Sequence, residues 1–283
     1  MNDQAVSAVA GQTSDFFTSH LGTAKSLTSV RARLMRALDI AYGARLKGGS
    51  GLREVRRRAA ARPPARVLIV GIEVPSRAND IGRVIDALAA GSRHHVTRSV
   101  TDMLDQGKFA NIDKAIAEAP VPLAEHDWLV ITDDDIDAWP GMLDDLIAIA
   151  DQADLALAQP AHAFNSYTTY EITRRRFGTL ARRTDFVEIG PLTLVRRDLF
   201  HQFIPFPPSR WCYGIDLVWS ETARRMGRRI GIVDGTPVRH LRPVAGTYSM
   251  DAAWDEGHAL LLQHGITTNR AELFARDEVV LRA

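Results

Sequence analysis

Apolar positions along the chain fall into two textures. Leu27, Val30, Leu34, Leu38 and Ala41 recur at spacings of three and four, which predicts a helix ending near Gly48 and Gly49. Pro63 and Pro64 break any further helix and mark a boundary. Beyond them, strands and helices alternate. Residues 66–72 (RVLIVGI) form an unbroken β-branched run, the pattern of a strand buried on both faces. Residues 81–90 are apolar at helical spacing, and 95–100 read as a second strand ending at Thr101 and Asp102. Residues 111–118 read as a helix and 128–132 (WLVIT) as another buried strand. Residues 186–194 (FVEIGPLTL) read as a strand broken by Gly190 and Pro191, where backbone can approach a ligand closely. Asp216 opens an amphipathic helix that Gly227 ends, 230–233 form a strand, and His240 closes the next short one. Residues 251–264 read as a final helix with Gly265 as its stop. The alternation predicts an α/β fold with a mainly parallel, Rossmann-like sheet covered by helices.

Composition narrows the class. The chain has 283 residues, of which 46% are hydrophobic and 24% charged, ordinary for a globular protein and incompatible with wholesale disorder. No run approaches the ~20 apolar residues of a membrane-spanning helix. The first thirty residues lack a basic start followed by an apolar core, so a cytoplasmic protein is expected. One cysteine, Cys212, allows no internal disulfide and no cysteine metal cage.

Charge divides the chain. Between Arg31 and Arg66 stand eleven Lys or Arg against Asp39 and Glu54, a local charge of +9 within a total of +1. The expected organisation is a basic helical arm over 1–62, a catalytic domain over 63–245 and a helical segment over 246–283 packed on it. The arm has two readings: peripheral contact of residues 31–62 with an anionic membrane at its inner face, or a solvated helix that packs its apolar stripe on the body. The second is favoured. A nucleic-acid partner is not expected, since Tyr42 is the one aromatic residue among the basic ones.

The strongest chemical signal follows WLVIT. Asp133, Asp134, Asp135 and Asp137 repel one another and need compensating cations. In an extended chain Asp133 and Asp135 project to the same side. Mg²⁺ and Mn²⁺ select carboxylate oxygens and recruit substrate phosphates, and open α/β sheets bind ligands at the carboxyl ends of their strands. Taken alone, the cluster also fits a solvated acidic turn. Asp216 fits either a helix N-cap or a general base in a pocket walled by Trp211 and Tyr213, and His240 either a buried structural histidine or a nitrogen ligand.

The order of these segments resembles the GT-A glycosyltransferases, particularly the family-2-like group that uses nucleotide-sugars. The resemblance rests on 67–72, Gly107-Lys108-Phe109-Ala110-Asn111, Asp133-Asp134-Asp135, Glu188-Ile189-Gly190-Pro191, Gly214-Ile215-Asp216 and Val238-Arg239-His240, and it covers roughly residues 66–245. The stretch 211–240 also resembles an uncharacterised domain family of plants and bacteria. The resemblance implies a GT-A-like fold and transfer of a sugar from a nucleotide-sugar to the hydroxyl of a glycan, lipid-linked or other acceptor. It implies that Asp135 and His240 hold a divalent cation, Mn²⁺ or Mg²⁺. On the donor side it implies Asp102, Lys108, Asn111, Asp133 and Asp134; on the acceptor side Gly190, Trp211 and Tyr213. Asp216 would be the base of an inverting transfer. Two other classes fit parts of the pattern: a non-catalytic nucleotide- or glycan-binding protein on the same fold, and a HAD-like phosphohydrolase with Asp133-x-Asp135 as its acid pair.

Overall fold

The computed structural model describes residues 29–242 and 250–283. Eight strands make one sheet: β1 (Arg66–Glu73), β2 (His95–Asp102), β3 (Trp128–Thr132), β4 (Leu155–His162), β5 (Thr179–Thr184), β6 (Leu192–Arg196), β7 (Arg229–Val238) and β8 (Asp277–Arg282). The helices are α1 (Val30–Lys47), α2 (Ser50–Ala60), α3 (Asp80–Ala89), α4 (Lys108–Ala117), α5 (Met142–Gln152), α6 (Phe200–Phe203), α7 (Ile215–Arg225), α8 (Met250–Gln263) and α9 (Arg270–Leu273). Leu27 and the expected boundary at 245/246 lie outside the described residues.

Strand order is β2-β1-β3-β6-β4-β7-β5-β8. β5 and β6 run against the other six strands, so the sheet is mixed and mostly of one direction. This is the α/β architecture expected of a GT-A-like chain. Alternation along β1 builds both cores: Leu68 and Val70 join α4 and α7 on one face, while Val67 and Ile69 join α2, α3 and α5 on the other. Within the first core Phe109, Phe206, Trp219 and Phe203 stack in sequence, with centroids 4.3, 4.6 and 4.2 Å apart. That column fixes α4 against α7, the two helices that carry Lys108 and Asp216.

Three segments depart from the pattern. Residues 186–191 are irregular, and only 192–196 join the sheet. The amides of Val187, Glu188 and Ile189 donate instead to side chains, Ser220 Oγ at 3.1 Å, Gln159 Oε1 at 2.6 Å and Asp216 Oδ1 at 2.5 Å. The C-terminal segment holds α8 and α9 but ends in a strand, β8, which pairs with β5 at the sheet edge.

The basic arm corrects the favoured reading in part. Its second helix, α2, does dock: Leu52 and Val55 are buried, and Arg56 meets Asp145 of α5 in two bonds of 2.7 Å. The stripe predicted to pack, Val30, Leu34, Leu38 and Ala41 of α1, faces solvent. The inward side of α1 is the one bearing Asp39 and Tyr42. Asp39 accepts from the Asn165 amide at 3.1 Å, and Arg175 lies 4.5 Å from the Tyr42 ring centroid. A polar anchor and a cation–π contact chose the face, which apolar periodicity does not register. Leu52→Ala should lower stability by about 2–5 kcal/mol, the usual result of emptying a buried leucine site. Its denaturant midpoint measures this, and an unchanged midpoint would mean that α2 is undocked in solution.

Candidate active site

β3 delivers the acidic run to the carboxyl end of the sheet. Residues 135–137 then pair antiparallel with 239–241: Leu241 donates to the Asp135 carbonyl at 2.9 Å, and Asp137 to that of Arg239 at 3.2 Å. This short pairing sets His240 beside Asp135, Nε2 to Oδ1 3.3 Å. One ligand atom from each of Asp133, Asp135 and His240 lies within 4.8 Å of the others. Two carboxylate oxygens and one imidazole nitrogen, converging this closely, fit a divalent cation of the Mg²⁺ or Mn²⁺ type.

The four carboxylates divide their compensation. Asp133 meets Lys108 Nζ at 2.6 Å. Asp134 points elsewhere, accepting from Arg77 Nη1 at 2.9 Å with Arg242 at 3.7 Å. Asp137 accepts from Arg239 at 2.6 Å. Burial opposes ionisation of Asp135, but the hydrogen bond and charge of His240 outweigh it and lower its pKa. Burial likewise opposes the His240 imidazolium, and Asp135 outweighs it, so that pKa is raised. Imidazole ligates a cation only in its neutral form, so a cation held here would compete with the proton for His240.

Beside the cluster opens a cleft of about 720 Å³, lined by residues including Pro75, Leu104, Lys108, Tyr170, Glu188, Trp211, Tyr213 and Asp216. Gly190, outside the cleft lining itself, lies beside Lys108 of the cleft and Asp133 of the cluster. Its φ of 141° belongs to glycine, and a Cβ there would sit 3.2 Å from Lys108 Nζ and 3.5 Å from Asp133 Oδ2. Gly107, at φ 91°, lets the 104–107 loop lie against the backbone of Ser209 and Arg210, where a Cβ would come within 2.7 Å of a carbonyl. Trp211 and Tyr213 reach the cleft from a loop that Glu256 of α8 ties down, accepting from Ser209 Oγ and from the amides of Arg210 and Trp211.

Asp216 does not cap its helix. Gly214 is the N-cap, and the Asp216 carboxylate accepts from Ile189 N across the cleft floor. The helix end would keep it ionised, but burial first and the Glu188 carboxylate second push its pKa up to about 7, against weaker lowering by the Ile189 amide and Lys108. That makes it a stronger base than an ordinary aspartate and one that is half-protonated near neutrality.

Not every expected residue meets the cleft. Asn111 is fully buried, and its amide is committed to the loop: it accepts from Leu104 N at 3.1 Å and donates to Leu104 O and Gly107 O, both at 2.9 Å. It braces the Lys108 loop. Asp102 stands exposed at the end of β2, outside the cleft lining. Asp134 faces its arginines.

Two residues without an assigned role sit between the base and the cation ligands. Glu188 lines the cleft and meets His162 Nε2 at 3.2 Å; His162 Nδ1 meets Ser166 Oγ at 3.2 Å, which accepts from the His240 amide at 2.8 Å. Glu188 was visible in the EIGP segment, two residues before Gly190. His162 ends β4, a run with no β-branched residue to announce it as a strand.

No protein-family model matches the chain, and no curated protein does. Solved structures similar to it include S. aureus TarS 1–349 in complex with UDP-GlcNAc, at TM-score 0.42 and 12% identity over 65% of this chain and 62% of that one. Others are S. aureus TarS, at 0.42 and 11% over 61% and 36%, and GalNAc-T7 with UDP, GalNAc and Mn²⁺, at 0.42 and 11% over 65% and 45%. The chain spans less than two thirds of each of these proteins.

Proposed function

We propose that the protein is a metal-dependent, inverting glycosyltransferase that moves a sugar from a nucleotide-sugar to an acceptor hydroxyl. One observation carries this reading. A carboxylate–carboxylate–imidazole cluster fit for a divalent cation stands at the carboxyl end of the central strand, and the cleft beside it holds an aspartate whose pKa is raised to about 7. The motif order along the chain supports it.

Asp133, Asp135 and His240 would hold the cation, which supplies positive charge to a diphosphate leaving group. Lys108, 2.6 Å from Asp133, adds a fixed ammonium on the same side. Trp211 and Tyr213 offer flat walls on which an acceptor sugar can rest. Asp216 takes the acceptor hydroxyl proton as the new C–O bond forms at the anomeric carbon, opposite the departing phosphate oxygen, so the configuration inverts. The base requires its ionised form, and turnover therefore falls as pH drops below about 7.

The test is a thermal-shift panel of nucleotide-sugars and free nucleoside diphosphates, with Mn²⁺ and with chelator. Stabilisation by at least one donor, larger with the cation, is expected. Stabilisation by free phosphorylated compounds alone, followed by their hydrolysis, would favour the phosphohydrolase class instead.

A further inference from the structure

Helix α1 turns opposite faces to the protein and to solvent. Ala32, Met35, Asp39, Tyr42 and Leu46 face the body. At 3.6 residues per turn, Val30, Leu34, Leu38 and Ala41, with Ala37 and Ala44, fall in an arc of about 120° on the other side. Val30 is 75% exposed, Leu34 62% and Leu38 40%. Arg31 borders this arc on one edge, Arg33, Arg36 and Lys47 lie beyond the other, and Arg45 stands within it. The one acid of the helix, Asp39, faces inward to the Asn165 amide.

The cations of the two arm helices differ in state. On α2, Arg56, Arg57 and Arg58 are paired with Asp145 and Glu54, Arg62 just beyond it meets Asp151, and Arg53 alone has no ion-pair partner among the described residues. On α1, Arg31, Arg33, Arg36 and Arg45 have no ion-pair partner among the described residues. Leucines in an arc free of carboxylates, edged by guanidinium groups with no ion pair among the described residues, form a surface whose complement is apolar below and anionic above.

We propose that this face of α1 seats on an anionic lipid bilayer, lying in the plane of the interface with its leucines at the acyl boundary and its arginines among the headgroup phosphates. Nucleic acid would match the arginines but not the leucines, and the aromatic residue of the helix, Tyr42, is turned inward against Phe177. A second copy of the chain would bring two cationic faces together, which repel. The seat is also tied to the cleft: the segment that Asp39 holds at Asn165 continues to Thr169 and Tyr170 in the cleft wall. The proposal is independent of the chemistry inside that cleft.

The experiment sediments the full-length protein with phosphatidylcholine vesicles, with and without phosphatidylglycerol. Binding is expected only where phosphatidylglycerol is present, weakening with added salt. Arg33→Ala and Arg36→Ala should each lower partitioning about 5-fold, and Leu34→Glu about 10-fold or more, with melting temperatures unchanged because all three side chains are exposed. Equal binding to neutral vesicles, no binding to either, or indifference to Leu34→Glu would overturn the proposal. So would a dimer in light scattering that Leu34→Glu dissociates, which assigns the face to a second copy, or tighter binding to a DNA duplex.

Discussion

Asp216→Asn is expected to lower turnover by about 10²–10⁴-fold at matched folded concentration, the range typical of losing a general base. The substitution keeps the shape of the side chain and an oxygen that can still accept from the Ile189 amide. What it removes is the ability to take a proton. Stability separates this role from a structural one. A carboxyl with a folded pKa of about 7 binds protons that the unfolded chain, with its ordinary aspartate, has already released. Its contribution is therefore fully present below about pH 4 and lost as pH rises through about 7. Above pH 7 the asparagine variant should be no less stable than the parent, because it replaces a buried charge facing Glu188 with a neutral group. Melting curves across pH, turnover of the variant, and the anomeric configuration of the product by NMR decide the matter together. Near-parental turnover, or a product that keeps the donor's configuration, would sink the assignment.

The second large effect is expected at Asp135. In the parent, a nucleoside diphosphate should bind more tightly with Mn²⁺ or Mg²⁺ than with excess chelator. Asp135→Ala should remove that gain, weakening metal-dependent binding by about 100-fold or more, since even partners outside the ligand set typically contribute 10–100-fold. Binding in chelator should barely change, because Lys108 remains beside Asp133. Asp135 is buried against His240, so Asp135→Asn provides a second variant that keeps side-chain volume and a hydrogen-bonding oxygen. Titration calorimetry of both, with and without the cation, reads the difference. Equal affinity of the parent in chelator and in Mn²⁺ would reject the cluster as a cation site.

The contrast between the carboxylates shows why sequence reaches some site residues and not others. Strand alternation predicts Asp133 and Asp135 on one side. Their ligand atoms do converge, but β3 ends at Thr132 and the chain bends at Asp134 and Asp135, so it is the pairing of 135–137 with 239–241 that sets Asp135. Alternation could not say what neutralises Asp134. That answer comes from Arg77 and Arg242, residues 57 and more than one hundred positions away. Nor could it say that the Asn111 amide is used up inside its own loop, since a motif match records a residue type and not the direction its side chain takes. For Asp216, the helix it opens was legible, but the sign of its pKa shift was not. The helix end favours the charged form, and burial against Glu188, which only assembly creates, wins over it.

By itself the sequence determined the elements with strong local signals: β1 and β3 as unbroken apolar runs, α3 and α7 from helical spacing of apolar residues, α8 from its leucine cluster and the Gly265 stop, and the position of the acidic run at a strand end. Tertiary structure decided the rest. It inserted β5 and β6 antiparallel, recruited the weakly patterned β4 and β8, converted 186–191 from strand to a segment held by three side chains, and turned the leucine arc of α1 away from the protein. The physical reason is common to all four. Periodicity reports which side of an element is apolar, whereas strand neighbours, captured amides and the chosen face of a helix depend on partners distant in sequence, and those interactions exist only once the sheet has closed.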